Sequence, residues 1–89
     1  MDYQGDTDKF RDLLNQEHSW PTTYIFKFIV KGDQENEVTD LFGEDVVINK
    51  KPSSAGKYTS VTIQAKMATA DEVIAIYNAA ASIEGIISL

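Results

Sequence analysis

The run from Tyr58 to Tyr77, YTSVTIQAKMATADEVIAIY, changes its periodicity halfway along, and that change decides the fold. Up to Lys66, apolar and polar residues alternate. Val61, Ile63 and Ala65 point one way and Tyr58, Ser60, Thr62 and Gln64 the other, as in a strand with one buried face. From Thr69 the spacing becomes helical. Thr69 and Glu72 stand as a capping box, and Val73, Ile76, Tyr77 and Ala80 share one stripe of a helix running to about Ser82. Gly85 follows the helix, and Ile86 to Leu89 supplies a short last strand. The run and its tail therefore make one βαβ unit.

The preceding half repeats the plan. From Thr22 to Val30, the aromatic set Tyr24, Phe26 and Phe28 alternates with Ile25, Lys27 and Ile29, which predicts a strand with an inward aromatic face. Lys31-Gly32-Asp33 punctuates it, and Asp33 is placed to cap a helix through about Phe42. Val38, Leu41 and Phe42 form its buried stripe, and Gly43 stops it. Val46, Val47 and Ile48 form the core of a second strand. Lys50 to Lys57, KKPSSAGK, reads as a loop because proline, glycine and two serines cluster there. Ahead of all this, Met1 to Gly5 reads as a tail, and Asp6 caps a short helix with Phe10, Leu13 and Leu14 on one face. Residues 1–19 are thus a leading segment and 20–89 a single domain. The predicted fold is α+β, a ferredoxin-like split βαβ (βαββαβ): a four-stranded antiparallel sheet with two helices on one face, plus a short N-terminal helix.

Composition agrees with one small globular domain. The chain has 89 residues, 43% of them hydrophobic, and no cysteine, so disulfides and thiolate metal sites are excluded. Fourteen acids face seven lysines and one arginine for a net charge of −6, which repels phosphate backbones at long range. No stretch approaches the roughly 18 apolar residues of a membrane span, and the start has no basic segment leading into an apolar run. The expected location is cytoplasmic, with no membrane partner.

Lys51-Pro52-Ser53-Ser54-Ala55-Gly56-Lys57-Tyr58-Thr59-Ser60-Val61-Thr62-Ile63 resembles the KPSSxGxYxSVT signature of the YbeD-like family of small bacterial proteins. Trp20-Pro21 before the aromatic strand, Asp71-Glu72-Val73 and Ile76-Tyr77 are similar to that family as well, over about residues 20–89. The resemblance implies a fold like that of ACT-type regulatory domains. Fifteen residues separate Val30 from Val46, so the first helix is shorter than the family's and is acidic.

Catalytic chemistry finds little to stand on. His18 is the only histidine, lies in a polar stretch, and has no partner at ligand or triad spacing, so it reads as a surface residue. Asp33, Glu35, Glu37, Thr39 and Glu44 fit calcium-loop spacing, but Val38 occupies the position that needs glycine. No nucleophile-elbow context exists. The expectation is a protein that is not an enzyme and uses no cofactor. RNA binding is disfavoured, because the third strand's outward positions beyond Tyr58 are Ser60 and Thr62, which cannot stack bases.

Two surfaces are left. The loop gathers Lys50, Lys51, Ser53, Ser54, Gly56, Lys57 and Tyr58, whose amides, hydroxyls and ammonium groups suit a small anionic ligand. Gly32 lies where ACT-type domains let a ligand approach backbone. On the first strand, Ile25 and Ile29 face outward and suit contact with a second copy of the chain or another protein. The leading expectation is a regulatory or interaction module, and the alternative is a sensor for a small anion.

Overall fold

A computed structural model describes residues 7–89, and within it the chain runs α1 (Thr7–Glu17), β1 (Thr22–Lys31), a 3-10 turn (Gly32–Gln34), α2 (Glu35–Thr39), β2 (Val46–Pro52), β3 (Tyr58–Met67), α3 (Ala70–Ala80) and β4 (Ile87–Ser88). The strands form one sheet in the order β2-β3-β1-β4, and every neighbouring pair is antiparallel. Strands β1 and β2 are thus parallel with β3 between them, and β3 and β4 are parallel with β1 between them. That is the split βαβ, ferredoxin-like arrangement. The tail Met1 to Gly5 and the Asp6 cap lie outside the described residues.

The alternation along β1 and β3 sorts their side chains as expected. Phe26, Phe28, Val30, Val61 and Ile63 are fully buried on the helix side, with Ala65 and Met67 beside them. The ladder pairs Phe26 with Ile63 and Phe28 with Val61, so the largest core residues stand directly opposite one another. From α3, Ala70, Val73, Ile74, Tyr77 and Ala80 close the core. This arc is wider than the expected stripe: it takes in Ile74, while Ile76 is only partly buried. The cause is α1, which packs against α3 through Phe10 and Leu14 and so covers a second side of that helix. Leu13 does not share that face and is exposed.

The cap of α3 has the expected geometry. The Glu72 amide donates to Thr69 Oγ1 at 3.2 Å, and the Ala68 amide donates to Glu72 Oε1 at 2.9 Å. Replacing Thr69 with alanine strips one of these and should cost about 1 kcal/mol. In a domain of this size that lowers the melting temperature by roughly 4–8 °C. A melting curve identical to wild type would show that the hydroxyl does not hold the helix start.

The first crossover departs most from expectation. Asp33 lies in the 3-10 turn rather than at a helix cap, and α2 spans only five residues. Val38 is fully buried, whereas Leu41 and Phe42 leave the helix and pack on the core from the connecting segment. So short a helix leaves the helix side of β2 thinly covered, and Ile48 there remains 36% exposed. Glu35 fastens α2 to the sheet: Lys50 Nζ lies 3.3 Å from its Oε1, and Thr59 Oγ1 donates to its Oε2 at 3.3 Å. His18 is half-buried rather than on the surface, its ring 5.5 Å from that of Trp20 and 5.4 Å from that of Tyr24.

Candidate functional site

The first three residues of the stretch read as a loop, Lys50 to Pro52, are strand. Strand β2 continues through Lys50 and Lys51 to Pro52, because the ten-residue β3 offers it a ladder partner at every step. Pro52 is tolerated there for a geometric reason. The Ser53 amide points to β3 and donates to Tyr58 O at 2.8 Å. The preceding position therefore directs its nitrogen outward to the sheet edge, where a missing N–H costs nothing. Only residues 53–57 turn. Gly56 takes φ of +74°, a conformation that favours glycine, and its amide donates to Ser53 O at 2.9 Å. Ser53 Oγ accepts from the Tyr58 amide at 3.3 Å. Two residues of the signature run thus have plain structural tasks in closing a hairpin.

Gly32 meets this hairpin. Its amide donates to Lys57 O at 3.1 Å, and a Cβ placed on it would lie 3.3 Å from Gly56 O. Close approach of two backbones, not a positive φ, is what favours glycine here. The amides of Gly32, Ser53, Gly56 and Tyr58 are all engaged within the hairpin and its junction with β1.

Strand parity separates the basic residues. Lys50 pairs with Val61 and projects to the helix side, where it meets Glu35; Lys51 pairs with Ser60 and projects to the opposite side. The structure brings Lys51, Ser53, Ser54 and Tyr58 together with Ile29 and Ser60 around a shallow depression of about 410 Å³. Gly32 and Lys50 lie elsewhere, and Gly56 and Lys57 stand at the hairpin tip.

That depression is one corner of a larger feature, the sheet face turned away from the helices. Registers place Ile25, Lys27, Ile29 and Lys31 of β1 on it, with Val47, Asn49 and Lys51 of β2 and Tyr58, Ser60, Thr62, Gln64 and Lys66 of β3. Ile87 of β4 joins it opposite Ile29. Leu89 follows, its amide donating to Lys27 O at 2.9 Å. No element among the described residues covers this face. Ile25, Val47, Tyr58 and Ile87 are each about half exposed, Leu89 is 66% exposed, and Ile29 is half-buried between its neighbours. Val47 and Ile25 flank Gln64 in one cross-strand row, and Ile29 and Ile87 are paired in another. Two apolar clusters therefore stand at opposite corners of the face, with Lys27 and Thr62 between them.

Sequence reasoning reached Ile25, Lys27 and Ile29, beside Ser60, Thr62 and Gln64, but missed Val47, Ile87, Lys31 and Lys66 as members of the same surface. Alternation within each strand was the available signal. The registers of β2 and β4 against their neighbours were not.

On the helix side, Arg11 Nε donates to Asp71 at 2.6 Å and its Nη1 to Asp8 at 2.8 Å. Asp71 first and Asp8 second push the guanidinium pKa up, an effect that fastens α1 to α3 and creates no reactive group. No helix among the described residues is long and apolar enough to cross a membrane.

No curated protein and no solved structure matches the chain. A family model does, over residues 15–89, which takes in the whole sheet, both crossover helices and the signature hairpin. The chain belongs to the DUF493 family, described as proteins of unknown function.

Proposed function

We propose that this protein is a non-catalytic interaction module that binds a partner protein through the open face of its sheet. The observation that carries this reading is the uncovered set Ile25, Val47, Tyr58, Ile87 and Leu89 on a face opposite a fully built core. An antiparallel sheet with one solvated face is ordinarily polar there, and apolar residues gathered on such a face mark contact sites. The likeness of the signature run to the YbeD-like family, and of that fold to ACT-type domains, supports a regulatory use of the contact. A cysteine-free chain suits a reducing compartment, and we place the protein in the cytoplasm. The anion-sensor reading has less beneath it, since Lys50 is turned away and four amides near the loop are engaged internally.

The test is a photo-crosslinking residue introduced in cells at position 25 and, as a control, at the exposed Asn78 on the outer side of α3. Position 25 should give a discrete protein adduct and position 78 none. Equal adducts from both positions, or none from either, would remove the reading. A parallel melting screen against anionic metabolites and nucleotides should be flat. A bound ligand at a hundredfold excess over Kd adds about 2.7 kcal/mol, so a rise of roughly 10–20 °C would favour the sensor instead.

A further inference from the structure

The open face is as lopsided in charge as in polarity. Lys27 and Lys31 of β1, Lys51 of β2 and Lys66 of β3 project from it, and none of the acids among the described residues occupies a strand position. The acids among the described residues lie in the helices and connecting segments: Asp8 and Asp12 in α1, Glu35 and Glu37 in α2, Asp71 and Glu72 in α3, for example. A chain of net charge −6 thus presents a purely basic surface on one side. None of the four lysines has an ion-pair partner among the described residues; the pairs found there involve Arg11 and Lys50 alone.

From this we infer that the partner is an acidic protein segment bearing apolar side chains, laid across the open face so that its carboxylates meet Lys27, Lys31, Lys51 and Lys66 while its apolar groups cover Ile25, Ile29, Val47 and Ile87. The inference rests on the interaction-module reading and gives it a chemistry. Complementary charge is what selects partners and registers at such surfaces. A second copy of the chain is a poor occupant. Stacking two such faces brings lysines against lysines with no carboxylate to offset them, and burying unpaired charge is costly.

Polyanions of other kinds fit less well. Single-stranded RNA needs aromatic platforms for its bases, and among the described residues Tyr58 is the one aromatic on the face. A nucleic acid or an anionic bilayer also extends beyond the face and meets the acidic flanks. A short segment avoids them, because charges more than about 8 Å away are largely screened at physiological salt.

The experiment uses the full chain, isotopically labelled, and three probe peptides of about ten residues, matched to the length of β1. One repeats two glutamates and two leucines, so that an extended peptide carries both kinds on each side, the second repeats two lysines and two leucines, and the third two glutamates and two serines. The glutamate-leucine peptide should bind and move the amides of Ile25, Lys27 and Thr62 first. The other two should bind at least about tenfold more weakly, and raising salt from about 50 mM to about 300 mM should weaken the first severalfold. A Lys27→Glu/Lys66→Glu variant that melts like wild type should reverse the preference towards the lysine-leucine peptide. Equal binding of both leucine peptides to wild type would overturn the inference without recourse to any variant. So would stronger binding of oligouridylate or phosphatidylserine vesicles, or a dimer in light scattering that Ile25→Glu dissolves. If no peptide binds while position 25 still crosslinks a protein, the acidic chemistry is wrong and the interaction module stands; if neither is seen, both fall.

Discussion

Phe26→Ala should cost about 3–5 kcal/mol, the largest loss expected of any single truncation in this chain. Phe26 is fully buried at the centre of β1. Its ring lies 4.7 Å from that of Tyr24, 5.2 Å from Phe42 and 5.4 Å from Tyr77, so it ties the sheet to α3 and to the segment after α2. Domains of this size hold only about 5–15 kcal/mol in total, so the variant sits near the edge of folding. Urea unfolding should show a much lower midpoint at an unchanged slope, and the melting temperature should fall by roughly 15–30 °C. Ile25→Glu, one residue away on the opposite face, should leave both nearly untouched. If Ile25→Glu unfolds the protein and Phe26→Ala does not, β1 is inside out, and the open-face readings lose their foundation.

A chain beginning at Ser19 should still melt cooperatively but about 2–3 kcal/mol less stably. The sheet, α2 and α3 carry their own core, and isolated short helices are marginal in water, so α1 gains its structure from docking. What it gives back is specific. Leu14 belongs to the buried core, and the Phe10 ring lies 5.7 Å from that of Tyr77. A fully buried leucine contributes about 1.5–3 kcal/mol, Phe10 adds part of its area, and the lost ordering of the helix offsets some of both. Arg11 and Asp71 are exposed and add little to the sum. The expected drop in melting temperature is roughly 8–20 °C. An unchanged temperature would mean that α1 is not docked in solution. Loss of a cooperative transition would mean that it is part of the folding unit.

Locally written physics made most of the architecture legible. Alternation from Tyr24 to Val30 and from Tyr58 to Lys66 sorted the two faces of β1 and β3, because a strand's side chains alternate whatever lies beside it. The capping box at Thr69 and Glu72 located the start of α3 for the same reason: its hydrogen bonds span only a few residues. The order β-α-β-β-α-β followed from these signals, and with it the ferredoxin-like fold. Local cues failed where a distant partner decides. Lys50 to Pro52 carry loop propensity, yet β3 draws them into a ladder. The stripe Phe10, Leu13 and Leu14 narrows to the residues α3 can reach. Asp33 resembles a cap, but Phe42 and Leu41 are better buried by a descending segment than by a longer helix.

The sequence by itself determined the element types, the inward aromatic face of β1, and the outward placement of Ile25, Lys27 and Ile29. Only the tertiary structure fixed the register of each strand against its neighbours in the order β2-β3-β1-β4. That order collects Lys27, Lys31, Lys51 and Lys66, together with Val47 and Ile87, on one uncovered face, and sends Lys50 to the other side to meet Glu35. The reason is that parity is a property of one strand, whereas a surface is a property of neighbours. Neighbours are set by burial of Phe26, Phe28, Val61 and Ile63 against α3, far apart in the chain.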